Sequence, residues 1–180
     1  MQVLMTLTLA FACLIQINKN YASLKLQKGP QNYWPLQTAQ IYSLNSLIWK
    51  QSVTLSVNFL DKNLGKDELF FALPYDPLYY FLTNKPSPTR QLIFFKFVQI
   101  PEKQELEIIQ DLERHKVNWI LLSNRFVSSD YGLGLLGETH CIRIADYINT
   151  HFTPVAQFGD WTNPSGWAWN HGTRIYKRIK

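Results

Sequence analysis

The spacing of apolar positions predicts alternating helices and strands over most of the chain. In residues 45–64, Val53, Val57, Leu60 and Leu64 recur at helical spacing, which predicts an amphipathic helix that packs on a sheet. The remaining pattern predicts, in chain order, a strand at 69–73, a short helix at 78–82, a strand or extended loop at 92–98, a helix at 101–116, a strand at 117–122, a helix at 138–152, and strands at 154–158 and 173–179.

The fold class follows from how these elements are joined. The helix at 101–116 runs into the strand at 117–122 with almost no loop, which is typical of a βαβ unit with parallel strands. We therefore expect an α/β domain with a small mixed, mainly parallel sheet and helices on its faces. In the helix at 101–116, the side chains predicted to face inward are Leu106, Ile109 and Leu112, and those predicted to face solvent are Glu102, Glu105, Asp111 and Glu113.

The first 17 residues form an uncharged, largely apolar segment that ends at Asn18 and Lys19. Its length is at the short limit for crossing a bilayer, so we expect one N-terminal membrane-type helix. A cleaved signal peptide and a buried helix are the alternatives, although a signal peptide normally begins with basic residues. The expected organisation is a membrane or signal-like helix at 1–17, a connector at 18–44 and an α/β domain at 45–180.

The most informative stretch is PYDPLYYFLTNKPSPTR at residues 74–90, which follows the predicted strand at 69–73. Pro74 ends that strand because it has no N–H to donate. Asp76 is predicted to cap the short helix, and Pro77 suits its first position. Ligands of open α/β sheets bind near the carboxyl ends of strands, so this corner is a candidate site. A well-packed corner without a ligand is the alternative interpretation.

Two further segments are rich in residues that bind ligands. Residues 132–137 read GLGLLG, but eight residues, 124–131, intervene after Ser123, which favours a glycine loop over a nucleotide site. The tail at 160–172 combines Trp161, Trp167 and Trp169 with asparagines. Indole faces stack on sugar rings, so the tail is either a saccharide-binding surface or a hairpin whose tryptophans pack on the sheet.

Composition narrows the classes of function. The net charge is +5, yet no basic helix or zinc-ligand spacing indicates nucleic acid or a metal, and we expect no cofactor. His140 and His151 have no ligand spacing and are predicted to lie on the surface. Cys13 and Cys141 are not expected to pair. The chain has no G-x-S-x-G or H-E-x-x-H sequence, which argues against a soluble hydrolase.

The strand followed by P-x-x-P-L-Y-Y-F-L-T-x-(K/R)-P-x-P-T-R at residues 74–90 resembles the C-terminal soluble domain of polytopic GT-C type glycosyltransferases, among them dolichyl-phosphate-mannose-dependent and aminoarabinose transferase-like enzymes. The resemblance extends over residues 1–180 and is sharpest at 69–90. It implies an extracytoplasmic domain of a membrane protein whose sugar donor is a polyprenyl-phosphate sugar. The family's catalytic acid lies in a loop between early membrane helices, and no such segment occurs here.

We therefore expect an accessory domain of a membrane glycosyltransferase-like protein that does not catalyse transfer alone. Its expected partners are the membrane, a lipid-linked sugar or glycan acceptor, and the membrane part of the transferase. The candidate ligand-binding residues are Tyr75, Asp76, Tyr79, Arg90, Trp161, Trp167 and Trp169. Arg90 is expected mainly to fix the corner, and its second possible role is to bind a phosphate. The alternative function is a stand-alone membrane-anchored module that binds glycans or envelope proteins.

Overall fold

The computed structural model describes residues 15–17, 33–35, 40–42, 47–124, 136–161 and 172–179. The chain divides into two compact units, residues 1–45 and 46–180. In the first, β1 (Tyr33–Pro35) and β2 (Gln40–Tyr42) pair antiparallel, with Trp34 opposite Ile41. Residues 15–17 are helical, and most of the predicted membrane-type helix lies outside the described residues. No helix in the described part of the chain has both the length and the apolar character needed to cross a bilayer.

The second unit is a mixed α/β domain built on a four-stranded sheet. Its elements are α1 (Leu47–Asn63), β3 (Phe70–Leu73), α2 (Leu78–Leu82), a 3₁₀ turn (Lys96–Val98), α3 (Glu102–Arg114), β4 (Trp119–Ser123), α4 (Ile142–His151), β5 (Phe152–Gly159) and β6 (Gly172–Arg178). The strand order is β3-β4-β6-β5.

The expectation of a mainly parallel sheet is wrong. Only β3 and β4 run parallel, as the short connection from α3 to β4 predicts, whereas β4 with β6 and β6 with β5 pair antiparallel. The hairpin from β5 to β6 forces the last pair to be antiparallel, and β6 inserts between β4 and β5. The central position of β6 depends on its pairing with β4, whose partner residues lie 50 to 58 positions earlier in the chain.

Helices cover both faces of the sheet because successive strand residues point to opposite sides. On one face, α1 buries Val53, Val57 and Leu60, as its apolar stripe predicts. The Phe59 ring there meets the Trp119 ring edge-on at 6.2 Å. On the other face, α3 and α4 enclose a core that includes the following buried side chains: Phe71, Leu73, Phe94, Ile108, Leu112, Ile120, Ile144 and Ile148.

The inner face of α3 differs from the prediction in two places. Leu112 is fully buried as expected and Ile109 is partly buried, but Leu106 is 45% exposed. Glu105, which was predicted to face solvent, is only 6% exposed. Its Oε2 accepts a hydrogen bond of 3.1 Å from the Ile144 N–H in the first turn of α4. Because α4 has no side-chain cap of its own, the carboxylate of a neighbouring helix supplies that acceptor.

Candidate functional site at the carboxyl edge of the parallel strands

The two parallel strands end side by side, with Leu73 of β3 paired to Leu122 of β4. Chain segments with polar side chains leave the sheet at this edge. After β3 come a cis peptide bond between Leu73 and Pro74, then Tyr75 and Asp76. β4 ends at Ser123 and is followed by Asn124, which sequence reasoning did not single out.

Asp76 and Ser123 join the two segments. Asp76 is 4% exposed and Ser123 is fully buried, and the Ser123 hydroxyl donates a short hydrogen bond to Asp76 Oδ2. The predicted role of Asp76 as a helix cap is wrong, since α2 begins after Pro77 without any side-chain cap. The carboxylate is directed to β4 instead. A buried carboxylate that accepts such a charge-assisted bond holds the two segments together.

Asn124 holds both ends of the tryptophan-containing tail. Its Nδ2 donates to the Asp160 carbonyl at 2.7 Å, and its Oδ1 accepts from the Gly172 N–H at 2.7 Å. The Asn124 N–H donates to the Gly172 carbonyl at 3.0 Å. A Cβ on Gly172 would lie 2.4 Å from the Asp160 carbonyl oxygen, so glycine is required for this approach. Ser123 and Asn124 thus connect the two predicted ligand-binding segments.

A recess of about 200 Å³ opens beside this edge. It is lined by Trp49, Val53, Tyr75, Asp76, Pro77, Leu78 and Tyr79. Tyr75 is half-buried, whereas Tyr79 is 1% exposed and belongs to the core. The volume is below the roughly 300–1,000 Å³ of typical small-molecule pockets. The recess can therefore accept one part of a ligand, and Tyr75 is its more accessible ring.

Arg90 lies on a segment that returns to the same edge, because the Phe94 N–H donates to the Pro74 carbonyl at 2.8 Å. The expectation that Arg90 mainly fixes the corner is not met. Its side chain is exposed, and it forms no hydrogen bond or ion pair within the part of the chain that the structure describes. Buried Thr89 holds the turn instead, through a 2.9 Å bond from its hydroxyl to the Gln91 carbonyl. The guanidinium is therefore available for an anion.

The tryptophan tail is only partly described. Trp161 is half-buried, and the guanidinium of Arg174 lies 4.2 Å from the centroid of its ring. One indole face is thus occupied by a cation–π contact, which leaves less of the ring for a sugar. Trp167 and Trp169 lie outside the described residues.

A second group of titratable residues links α4 to the segment at 90–98. His140 is half-buried, its Nε2 lies 2.7 Å from the Phe94 carbonyl oxygen, and burial lowers its pKa. Cys141 is 2% exposed, and burial raises the pKa of its thiol to about 12, with Glu105 adding to the effect. The thiol stays protonated at neutral pH, so this group has a structural role. Among the described residues no group of carboxylates, histidines and cysteines has the arrangement of a metal site.

The larger cavity, of about 560 Å³, lies at the opposite end of β3. Its wall includes Asp61 and Lys85. The ammonium of Lys85 is already bound to the carbonyls of Gly65 and Lys66, at 2.8 and 2.6 Å. Burial raises the pKa of Asp61, and the positive charge of Lys85 lowers it by a smaller amount. None of the candidate ligand-binding residues reaches this cavity.

No protein-family model and no curated protein matches the chain. Among solved structures, the C-terminal globular domain of an oligosaccharyltransferase from Archaeoglobus fulgidus is similar over 74% of this chain and 98% of its own. The TM-score is 0.38, and 12% of the residues are identical. A likeness this distant assigns neither a family nor a function to the chain.

Proposed function

We propose that this chain is an accessory domain of a membrane glycosyltransferase-like protein and that it holds the headgroup of a polyprenyl-phosphate sugar without catalysing transfer. The observation that carries the proposal is the end of β4, where Ser123 binds Asp76 and Asn124 binds both Asp160 and Gly172. This arrangement fixes the two segments predicted to bind ligand at one edge of the sheet. The motif at residues 74–90, which resembles the GT-C domains, supports the choice of ligand.

The chemistry of the edge suits a phosphorylated sugar better than a neutral one. The guanidinium of Arg90 is exposed and has no ion pair among the described residues, so it can form a forked pair with a phosphate. The half-buried ring of Tyr75 offers a face to a sugar, while Asp76 keeps the corner rigid. Trp161 has one face covered by Arg174, so we assign it a secondary role, and Trp167 and Trp169 remain candidates from the sequence.

The domain is proposed to lie on the extracytoplasmic side of a membrane, beside the membrane part of the transferase. Catalysis would belong to that part, because Asp76 is buried and already accepts a hydrogen bond. The full chain alone should therefore give no product from a polyprenyl-phosphate sugar and an acceptor. Transfer by the purified chain, measured by mass spectrometry, would overturn this division of roles.

Binding is tested by calorimetric titration of the full chain with farnesyl-phosphate mannose in detergent. We expect Arg90→Ala to weaken binding by about tenfold, as loss of a charge-assisted hydrogen bond implies. Lys103→Ala is the matched control, since the Lys103 side chain is 89% exposed on α3 and its ammonium lies 4.0 Å from the Glu107 carboxylate. Equal affinity of Arg90→Ala and the parent would reject the phosphate role. Tight binding of a phosphate-free glycan would instead favour the stand-alone binding module.

A further inference from the structure

We infer that residues 90–98 form a lipid-contacting surface that rests in the headgroup region of an anionic bilayer. The segment reads RQLIFFKFV and displays apolar side chains that the fold leaves uncovered. Phe97 is 62% exposed, Leu92 37% and Ile93 36%. The inference names the surface by which the domain meets the membrane, and to that extent it rests on the proposed function.

The exposed Phe97 ring is held in place by the fold. The Phe97 ring lies 5.6 Å from Phe95, and Phe95 lies 5.1 Å from Tyr75 at the carboxyl edge of β3. Phe95 itself is 7% exposed, so it anchors the exposed ring to the core. The 3₁₀ turn closes through a 2.9 Å bond from the Val98 N–H to the Phe95 carbonyl.

Further hydrogen bonds fix the base of this segment. Phe94 is bound on both sides, by its N–H to the Pro74 carbonyl and by its own carbonyl to His140. The Gln91 side chain donates to the Ile93 carbonyl at 2.5 Å. An apolar surface that is ordered before binding loses little conformational entropy when it meets its partner.

The charges around the segment identify the partner as an anionic lipid surface. Arg90 and Lys96 are basic, and no acidic residue occurs from Pro77 to Pro101. The side chains of Arg90 and Lys96 form no ion pair within the described part of the chain. Aromatic and aliphatic side chains between unpaired cations are typical of protein surfaces that insert into headgroups, where each cation near the surface contributes about 1 kcal/mol.

The test places an environment-sensitive fluorophore at the tip of the segment. Phe97→Cys is introduced into the full chain with Cys13→Ser and labelled with NBD. Cys141 is buried and its thiol stays protonated, so it does not react. Val155→Cys is the matched control, because Val155 is 45% exposed on β5, at the opposite edge of the sheet from β3.

With vesicles of equal phosphatidylglycerol and phosphatidylcholine, we expect a blue shift of emission and quenching by brominated lipid at position 97 but not at 155. Phosphatidylcholine alone should give a weaker shift, and Lys96→Gln should reduce the shift on anionic vesicles. If the chain sediments with vesicles while position 97 shows no shift, the inference is wrong and another segment binds lipid. A shift at both positions, or one produced by excess unlabelled chain without vesicles, would also overturn it. None of these results changes the sugar-phosphate titration, which tests the proposed function separately.

Discussion

Polar clusters hold both ends of the four-stranded sheet, and they are built differently. At the amino end of β4, Arg178 donates to Tyr147 Oη at 2.6 Å and to Glu113 Oε1 at 3.1 Å, while the Tyr147 hydroxyl donates to Glu113 Oε1 at 2.6 Å. The guanidinium also lies 4.8 Å from the centroid of the Phe152 ring. Long charged side chains here join β6 to α3 and α4 at the surface.

At the carboxyl edge the connections are short, buried and mostly to the backbone. Ser123 and Asn124 form hydrogen bonds with Asp76, Asp160 and Gly172, and the side chains of Ser123, Asn124 and Asp76 are buried. The surface cluster pairs Arg178 with Glu113, whereas the carboxyl edge has a recess, and the nearby segment carries Arg90, which is exposed and has no ion pair among the described residues. The difference teaches that the charged groups of the surface cluster bind one another, whereas the buried hydrogen bonds at the carboxyl edge hold backbone segments in place beside a recess.

The largest effect on stability should come from the buried hydrogen bonds at the carboxyl edge. Asn124→Ala removes the partners of the buried Gly172 N–H and the Asp160 carbonyl, and we expect a loss of about 3 kcal/mol in the free energy of unfolding. Asn118→Ala is the control, because its side-chain amide makes a long contact of 3.4 Å with Glu68 at a part-buried position, and it should cost less than about 0.5 kcal/mol. Urea denaturation of both variants measures the difference. Equal midpoints would show that the carboxyl edge is no more rigid than the surface.

Asp76 and Ser123 should be coupled energetically. We expect Asp76→Ala to cost about 2 kcal/mol, since it removes a buried charge-assisted hydrogen bond. A double-mutant cycle with Ser123→Ala should give a coupling energy of about 1–2 kcal/mol. Additive costs in thermal or urea unfolding would mean that the contact does not hold the two strands together.

The surface cluster should contribute less per contact. Arg178→Ala loses ring contacts and the side-chain hydrogen bonds to Glu113, Tyr147 and the Val117 carbonyl, but the guanidinium is partly exposed to water, so we expect about 1–2 kcal/mol. Arg178→Lys keeps the charge without the fork and should recover only part of that stability. If the lysine variant recovered all of the lost stability, the charge of Arg178 alone, and not its hydrogen-bonding geometry, would account for its contribution.

Acid should weaken the surface cluster. The Tyr147 hydroxyl, and to a smaller extent Arg178, lower the pKa of Glu113 from its usual 4.5. A carboxyl with a lowered folded-state pKa contributes stability that is present above pH 4.5 and is lost as pH falls through the folded value. Because Glu113 is exposed, its share should be below about 1 kcal/mol. Unfolding curves for Glu113→Gln and the parent should differ at pH 6 and converge in acid, and a constant difference would contradict this.

The smallest effect on stability should be that of Arg90→Ala. An exposed side chain without a hydrogen bond or ion pair should change the free energy of unfolding by less than about 0.5 kcal/mol. Thermal unfolding measures this change, and the ligand titration measures binding in the same variant. A variant that melts like the parent but loses binding would show that Arg90 acts on the ligand and not on stability. A large drop in the melting temperature would show that Arg90 stabilises the corner, as the sequence predicted.

The sequence predicted those parts of the fold that depend on local spacing. The stripe of Val53, Val57 and Leu60 is buried as expected, and α2 spans the predicted residues. The helix at 138–152 is shorter than predicted and begins at Ile142. Local rules locate such elements because the periodicity of side chains is visible within one or two turns.

The errors concern partners that lie far away in the chain. Asp76 suits a helix cap by local rules, but Ser123, 47 residues later, takes its carboxylate. Glu105 suits a solvent-exposed position by local rules, but its carboxylate is buried because it accepts a hydrogen bond from the Ile144 N–H at the start of α4. Ser123 and Asn124 could have been found from one signal, namely two polar residues directly after a buried strand at the edge where ligands bind.

The position of β6 between β4 and β5 also governs the order in which the domain can assemble during synthesis. When a ribosome has completed residues 1–159, β3 and β4 can pair, but β5 has no neighbouring strand until β6 emerges. Its unpaired N–H and C=O groups are then open to pairing with other chains. The four-stranded sheet is thus completed only after β6 has emerged, and a nascent chain stalled before Gly172 exposes the edges of both β4 and β5.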